Sequence, residues 1–346
     1  MDRVPAMMIK RVLLCLGVFL IPQMVWAASI QLSGKTMGTT YHIKVVLPAH
    51  MTVEALQTKV DARLRSVNQS MSTFLENSEI SRFNQLKTIN TPFTVSEGFY
   101  QVMMAASNIF RQTEGAWDGT IRPLVNLWGF GTGKIREDIP SESDIKALLA
   151  DVGFGRIIIS KGALTKTSPG ITLDLASIAK GYGVDDVAAL LMQEGIHRFL
   201  VEIGGEVVAK GRKENGEKWK VGVNTPRKGA PQGQVYEIVE LSDKAMATSG
   251  DYRNFFERQG KTYTHVIDPR TGYPVSNGVV SASVISDTCM MADGLATAVM
   301  VMGHEKGLDM VNRLAGTECL IIVGKQDGSL ENIYSSGFHT YTYTPQ

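Results

Sequence analysis

Motifs for zinc binding and for disulfide exchange are missing from this sequence. It contains three cysteines and six histidines in 346 residues, with no CxxC pair, no HExxH motif and no cluster of the two residue types. A structural zinc site needs such closely spaced ligands, so the pattern argues against one. The formal net charge is +1, and no basic excess indicates binding to nucleic acid or to an acidic membrane surface. No internal repeat is visible, and the composition is that of an ordinary globular protein.

Residues 1–27 have the layout of a secretory signal peptide. A positively charged start is followed by the apolar run Val12–Ile21 and by a small-residue cleavage site at Val25–Ala27. The apolar run is shorter than the ~20 residues that a membrane span needs, although an uncleaved anchor is the alternative. Lipidation at Cys15 is disfavoured because a leucine precedes it where a small residue is expected. We therefore expect an exported, periplasmic protein, with membrane anchoring as the less favoured outcome.

The mature chain, residues 28–346, is long enough for one large domain or for two closely packed lobes. Removal of the leader leaves Cys289 and Cys319. An oxidising compartment allows a disulfide between them. Two separate buried thiols are the alternative, because free cysteine commonly behaves as a small core residue. The sequence leaves this choice open.

Hydrophobic spacing and turn residues predict both helices and strands along the mature chain. Helices are predicted at Thr52–Gln69, from Ser96 to near Gly115, after Ser141, at Ser177–Glu194 and at Met290–Met302. Strands are predicted at Thr39–Leu47, Ile157–Ser160, Ile171–Leu173, Phe199–Ile203, Trp219–Val223, Tyr236–Leu241, Thr262–Ile267, Val279–Ile285 and Cys319–Val323, and near the C-terminus. The strands do not alternate strictly with helices, which favours a mixed α+β fold over a doubly wound sheet.

The segment Asp174–Asp186, DLASIAKGYGVDD, is predicted to join the end of a strand to the start of a helix. Unpaired N–H groups and the helix dipole at such a junction favour a bound anion. Lys180 is expected in the first helical turn, where its charge opposes the dipole unless an anion compensates for it. A surface lysine on an ordinary strand-to-helix turn is the alternative, and it is favoured when the segment is taken alone.

His265 is the candidate general base. It is predicted at the end of a strand, just before the Pro/Gly turn in THVIDPRTGYP, and an imidazole there can accept a proton at neutral pH. Arg253 and Arg270 lie on either side in sequence, and guanidinium groups are suited to phosphate. The alternative is a histidine that only braces a hairpin.

Asp293 and Thr297 share one face of the helix predicted within DTCMMADGLATAVMVMG, because they are four residues apart. A carboxylate, a hydroxyl and a backbone carbonyl are hard oxygen ligands suited to Mg²⁺. The alternative is a capping aspartate and a threonine bonded back to its own helix.

The Gly-rich segment Trp128–Lys134, WGFGTGK, lacks the spacing of a phosphate loop and is interpreted as a surface loop.

Seven segments taken together and in order resemble the successive motifs of the FAD:protein FMN transferase (ApbE) family. They are KTMGTTYHIKV, GAWDGTIRPLVNLWGFG, DLASIAKGYGVD, VEIGGEV, ATSGDYRNFF, THVIDPRTGYPV and ADGLATAVMVMG. The resemblance covers essentially the whole mature chain. It implies mainly antiparallel sheets with helices in two closely packed lobes. It also implies an enzyme that transfers the FMN half of FAD to a Thr or Ser of a target protein and releases AMP.

Carried over motif by motif, the resemblance implies three groups of site residues. His265 would be the catalytic base. Mg²⁺ would be held by Ser177, through its carbonyl, and by Asp293 and Thr297. The FAD site would be lined by Met37, Phe74, Ala116, Trp117, Asp118, Asp174, Lys180 and Ile267. The implied partners are FAD and exported acceptor flavoproteins, including membrane-associated ones.

One position departs from the family pattern, and two other functions stay open. Some relatives carry a second aspartate immediately before the metal-binding threonine, where this chain has Ala296. Fewer anionic ligands weaken the binding of bare metal, so the metal is expected to arrive with the FAD pyrophosphate. An FAD pyrophosphatase would use the same site with water in place of the protein hydroxyl. An exported flavin-binding protein without turnover would need no base such as His265.

Overall fold

The computed structural model describes residues 29–48, 51–131, 139–231, 233–251, 255–258 and 261–344. Within them the chain forms eight α-helices: α1 (Val53–Met71), α2 (Glu79–Gln85), α3 (Glu97–Gln112), α4 (Arg122–Leu127), α5 (Glu142–Leu149), α6 (Ala176–Gln193), α7 (Cys289–Met302) and α8 (His304–Asn312). Short 3₁₀ turns lie at Phe154–Arg156 and Phe338–Tyr341. None of the described helices is long and apolar enough to cross a membrane.

The same residues form fifteen strands, arranged in four sheets. The strands are β1 (Ser29–Thr36), β2 (Thr39–Val46), β3 (Phe93–Thr94), β4 (Ile157–Ser160), β5 (Ala163–Lys166), β6 (Phe199–Ile203), β7 (Glu206–Lys210), β8 (Trp219–Asn224), β9 (Val235–Leu241), β10 (Lys244–Gly250), β11 (Phe255–Arg258), β12 (Lys261–Thr264), β13 (Val279–Ser286), β14 (Glu318–Gly324) and β15 (Leu330–Tyr334). The central eight-stranded sheet has the order β1-β2-β6-β7-β10-β13-β14-β15, and the smaller sheets are β3-β5-β4, β8-β9 and β11-β12.

All pairs in the central sheet are antiparallel, which confirms the predicted α+β class. Both faces of this sheet are buried at β13 and β14, whereas β1 and β2 alternate between buried and exposed residues. In β14, Cys319 and Ile321 face the core that includes α3, α6 and α7, whereas Leu320 and Ile322 face a second core formed with β8 and β9. Because side chains alternate between the two faces, a strand buried on both sides reads as an unbroken apolar run.

A smaller core accounts for the second lobe. It is formed by α4, α5 and hairpin β11–β12, with Leu124, Trp128 and Ile267 buried at its centre. Aromatic rings of the hairpin stack on it: Trp128 lies on Tyr263, with ring centroids 5.6 Å apart. The two-lobe arrangement therefore follows from this small cluster, which is separate from the three clusters that pack around the central sheet. His265 follows directly after its hairpin.

The predicted helix starts are confirmed by their caps. Ser96 Oγ accepts a hydrogen bond from Phe99 N at 3.4 Å, and Ser141 Oγ accepts one from Asp144 N at 3.1 Å. Each side chain satisfies an N–H that has no partner within its own helix.

Two strand predictions are wrong. The segment 171–173 is not a strand, because the side-chain amide of Asn84 bonds both backbone groups of Leu173, with Leu173 N to Oδ1 at 2.6 Å and Nδ2 to Leu173 O at 2.8 Å. The strand predicted at Thr262–Ile267 ends at Thr264, so His265 lies beyond it. The sequence analysis missed six of the described strands, β1, β3, β5, β7, β10 and β11, and the three short helices α2, α4 and α8. No apolar run marks the edge strand β1.

Cys289 and Cys319 are free, buried thiols. Cys289 begins α7, whereas Cys319 lies on β14, and the two pack in different hydrophobic clusters. The alternative of two separate core residues therefore describes this structure, and the disulfide does not. Cys15 and the boundary between residues 27 and 28 lie outside the described residues, so the leader stays a prediction.

Candidate active site

Helix α6 connects several of the predicted site residues. The indole N–H of Trp117 donates to Ser177 Oγ, with Nε1 and Oγ 2.9 Å apart. One turn further along, the backbone N–H of Gly181 donates to Asp293 Oδ2 on α7 at 2.9 Å. Lys180 lies between these two contacts in the chain. The first half of α6 therefore brings together residues that the sequence assigned to three separate motifs.

The junction that leads into α6 is fixed by backbone contacts. Asp174 Oδ1 accepts from Ala176 N at 3.0 Å, and Asp174 N donates to the carbonyl of Gly119 at 2.7 Å. The helix begins at Ala176, so Lys180 lies just beyond the first turn instead of within it. Asn84, which fixes the preceding residue, was missed by sequence reasoning. No local motif marks it, because its partner is far away in the sequence.

Lys180 takes part in a cluster of buried charges. Its ammonium is paired with Glu206 on β7, and the two side chains are 30% and 4% exposed. Asp293 is 3% exposed. Burial raises the pKa of both Glu206 and Asp293, and the charge of Lys180 opposes that rise. Burial lowers the pKa of Lys180, but the charges of Asp293 and Glu206 outweigh this effect, so the pKa is raised and the lysine stays protonated.

This cluster fits an additional cation. Two buried carboxylates face one ammonium, and Oε2 of Glu206 has no hydrogen-bond partner among the described residues. A buried carboxylate oxygen without a partner is costly unless a donor or a metal approaches it. No group of three or more His, Cys, Asp or Glu suited to a metal occurs within the described ranges. A metal here would therefore need hydroxyl, carbonyl or substrate oxygens as further ligands, which suits Mg²⁺.

The predicted ligands are arranged on two packed helices. In a regular α-helix the N–H of Gly181 pairs with the carbonyl of Ser177, and here that N–H donates to the Asp293 carboxylate. The carbonyl of Ser177 and the carboxylate of Asp293 are thus the two acceptors that this one N–H faces. Thr297 follows one turn later on α7, and its hydroxyl oxygen lies 3.0 Å from Ser249 Oγ at the end of β10. Ser249 was not assigned a role from the sequence.

The predicted FAD contacts Ala116, Trp117 and Asp118 are buried. Ala116 and Trp117 belong to the main core, and the indole packs edge-on against Phe154 at a centroid distance of 5.9 Å. The Asp118 carboxylate accepts from Thr120 N at 2.7 Å, Thr120 Oγ1 at 2.5 Å and Phe154 N at 2.9 Å. Burial raises the pKa of Asp118, and these hydrogen bonds oppose the rise. In this structure the carboxylate is occupied in fixing its own turn.

Met37 and Phe74 lie at an open groove on another side of α6. Met37 forms the tight turn between β1 and β2 with a φ of 50°, and its sulfur is packed close to Gly183 of α6. The groove has a volume of about 810 Å³ and is lined by Lys35, Thr36, Met37, Gly38, Thr39, Thr40, Arg65, Asn68, Gln69, Ser72 and Leu75. Phe74, beside this lining, is 83% exposed. An aromatic ring so exposed is available to stack on a planar ligand. None of the predicted metal ligands lines this groove.

His265 belongs to the hairpin side of the site. It is half-buried, and its ring meets Phe130 edge-on at a centroid distance of 6.3 Å. The next residue, Val266, packs in the same main core as Trp117 and Ile178. The histidine is therefore attached to the small lobe on one side and to the core that carries α6 on the other.

The residues after His265 form the predicted turn. Ile267 is buried in the small core, and it bridges to Pro274 across the turn. Arg270, which was predicted to contact phosphate, instead pairs with Asp268 through two bonds, Nε to Oδ1 at 2.9 Å and Nη2 to Oδ2 at 2.8 Å. Its guanidinium is thus committed within the turn. Arg253 and Lys134 lie outside the described residues.

A family model described as "ApbE family" matches residues 37–321. The chain belongs to the ApbE family. A relative from Vibrio cholerae named "FAD:protein FMN transferase" is 43% identical over 91% of this chain and 93% of its own length. A relative of the same name from Haemophilus influenzae is 40% identical, with 92% of each chain covered.

Solved structures of ApbE proteins share the fold. The "Flavin Transferase ApbE from Vibrio cholerae" superposes with a TM-score of 0.82 at 42% identity and covers 91% of this chain and 99% of that one. The Pseudomonas stutzeri flavinyl transferase ApbE, in its apo form, gives 0.82 at 35% identity, with 92% and 98% covered. The architecture described above is therefore that of the ApbE family.

The close approach of α6 and α7 in this ApbE chain depends on Gly181. A Cβ at this position would lie 2.4 Å from the carbonyl oxygen of Cys289 and 2.7 Å from Cα of Met290, which are both backbone atoms. We expect Gly181→Ala to destabilise the protein by about 1–3 kcal/mol through overpacking, although alanine is favoured over glycine within helices by about 1 kcal/mol. Urea unfolding measures the change.

Gly155→Ala is the matched control, because a Cβ at Gly155 would meet no atom within 4 Å. Equal free energies of unfolding for the two variants would show that the helices can move apart without loss of stability. Gly181 would then not be needed for their packing.

Proposed function

We propose that this chain is an FAD:protein FMN transferase, which moves the FMN half of FAD onto a Thr or Ser hydroxyl of an acceptor protein and releases AMP. Three relatives that carry this name are 36–43% identical over most of the chain. What supports the function most directly is the contact between Gly181 and Asp293, since it brings the Asp293 carboxylate to the part of α6 that carries Ser177 and Lys180. This is the arrangement that a pyrophosphate with a bound cation requires.

The residues that would hold Mg²⁺ are Ser177, through its carbonyl, together with Asp293 and Thr297. When bound, the cation would neutralise pyrophosphate oxygens and the charge that develops on the AMP leaving group. Ala296 contributes no carboxylate, so the pyrophosphate itself is expected to complete the ligand set. Glu206 adds negative charge nearby and, through its ion pair, holds the ammonium of Lys180 beside Asp293.

The remaining contacts would bind the flavin and the nucleotide. Phe74 offers an exposed ring beside the groove at Met37, and Lys180 offers a positive charge to the pyrophosphate. The carboxylate of Asp118 would act through its turn, because its oxygens already accept three bonds.

His265 would act as the general base. The acceptor hydroxyl oxygen attacks the phosphorus of the FMN half, the bond from that phosphorus to the bridging oxygen breaks, and AMP leaves with that oxygen. The hydroxyl proton passes to His265 as the new ester bond forms. Base assistance of this kind contributes typically 10²–10⁴-fold to the rate.

Two other activities are distinguished by one assay. An FAD pyrophosphatase would release FMN and AMP without any acceptor, whereas a flavin-storage protein would bind FAD and form no AMP. Incubation of the mature protein with FAD, Mg²⁺ and exported candidate acceptors, followed by in-gel flavin fluorescence and measurement of AMP, separates all three. Covalent flavin on the acceptor, with AMP in equal amount, is the result expected of a transferase.

We expect His265→Ala to bind FAD almost normally and to transfer FMN at least about 10²-fold more slowly. The proposed flavin and metal contacts come from other segments, so a residue used only in the transition state should lower turnover without weakening binding. FAD affinity, thermal stability and single-turnover transfer are measured on the same preparation. His197→Ala, at an exposed position before β6, is the control. Near-normal transfer by His265→Ala would end its assignment as the base.

We expect Asp293→Asn to lose Mg²⁺-dependent transfer, because the substitution removes the only carboxylate proposed as a direct ligand. The amide keeps the size of the side chain and can still accept from Gly181, which limits the structural damage. Transfer is measured across a Mg²⁺ titration, with the exposed Asp309→Asn on α8 as control. An unchanged Mg²⁺ response in Asp293→Asn would place the metal elsewhere.

We propose that the protein is exported and periplasmic, with maturation at or near Ala28. The support is the charged start, the short apolar run and the small residues before this position. N-terminal sequencing of the native protein should begin close to Ala28, and an intact Met1 on membrane-extracted protein would reject the cleavage.

A further inference from the structure

Asp185, on α6, caps the N-terminus of α7. Its Oδ1 accepts from Cys289 N at 2.8 Å and its Oδ2 accepts from Met290 N at 2.8 Å. These are the first two N–H groups of α7, which have no partner within their own helix. The third, of Met291, is capped by Thr288 Oγ1 at 3.3 Å. A side chain from another helix therefore adds to the local cap that Thr288 provides.

The two helices hold each other through reciprocal contacts. Gly181 of α6 donates to Asp293 of α7, while Asp185 of α6 accepts from Cys289 and Met290 of α7. The contacts are four residues apart on α6 and three or four apart on α7, so they are about one turn apart along the interface. Because both oxygens of Asp185 are bonded to successive amides, the cap fixes the rotation of α7 as well as its distance from α6.

We propose that Asp185 is a positioning residue for the metal site, which sets α7 against α6 so that Asp293 and Thr297 meet the carbonyl of Ser177. This inference rests on the proposed function of those three residues as metal ligands. Asp185 would touch neither metal nor FAD, and would act through the backbone of α7. Residues that orient metal ligands in this way commonly change metal affinity about 10–100-fold when they are replaced.

The cost of placing a carboxylate here supports a role beyond ordinary helix capping. Burial raises the pKa of Asp185 to about 6, even though the bonds from Met290 and Cys289 lower it. A cap from Thr288 or another local side chain avoids this desolvation. What a local cap cannot supply is a fixed orientation relative to α6.

The neighbouring residue provides a matched control. Asp186 is also on α6 and also partly buried, but its carboxylate pairs with Arg63 of α1 at 2.9 Å. Asp185→Asn and Asp186→Asn therefore remove the same charge from adjacent positions of one helix. Only the first disturbs the contact with α7.

The test uses the mature full-length protein and measures FAD binding by flavin fluorescence across a Mg²⁺ titration, alongside thermal unfolding. We expect Asp185→Asn to need at least about 10-fold more Mg²⁺ for half-maximal FAD binding at temperatures where it is fully folded. Asp186→Asn should retain the wild-type requirement. Asp185→Glu keeps the charge on a longer side chain. Its Mg²⁺ requirement should lie between those of the wild type and Asp185→Asn, because the longer side chain does not keep both carboxylate oxygens at their present distances from the two amides.

The possible results separate the inference from the function on which it rests. If the wild-type protein binds FAD without any response to Mg²⁺, the metal site fails and the inference with it. If the wild type responds and Asp185→Asn responds identically, Asp185 is a structural cap only and the inference is overturned while the function stands. A fall in thermal stability with an unchanged Mg²⁺ requirement has the same meaning. A raised requirement confined to Asp185 supports the positioning role.

Discussion

The contact between α6 and α7 is the constraint on which the candidate site depends. A backbone N–H at Gly181 reaches a buried carboxylate at Asp293 because no side chain separates the helices there. The same approach allows Asp185 to cap α7 from outside. Close packing thus converts two helices from distant parts of the sequence into one rigid support, on which small groups of oxygen atoms can be held in fixed relation.

Electrostatics at this support explain why it suits an anionic substrate carried with a cation. Glu206 and Asp293 are buried close to Lys180, and burial acts against the charge of each carboxylate. An incoming cation relieves this cost, while Lys180 remains protonated to meet a phosphate. The site therefore favours cation and anion together over either one alone.

The proposed flavin contacts and the proposed base lie in other parts of the molecule. Met37 lines an open groove and packs on Gly183 of α6, and Phe74 is exposed beside that groove. His265 follows hairpin β11–β12. The hairpin is held by stacked rings, such as Phe256 on Tyr263 at 5.1 Å, so its position depends on the small core. The residues proposed for binding and for proton transfer are thus supported by different hydrophobic clusters.

The sequence by itself determined five of the eight described helices, most of the described strands, the α+β class and the motifs that carry the ApbE resemblance. Those features depend on local periodicity, on capping residues such as Ser96 and Ser141, and on short motifs that occur in a fixed order. It could not reveal Asn84, Ser249, Glu206 or Asp185 as members of the site, nor that Arg270 is committed to Asp268. Most of these residues pair with residues that are far away in the sequence. For Arg270, both a phosphate and Asp268 are reasonable partners, and the sequence alone does not choose between them. Only tertiary packing decides which of those pairs form, because buried polar groups must find partners wherever the fold brings them together.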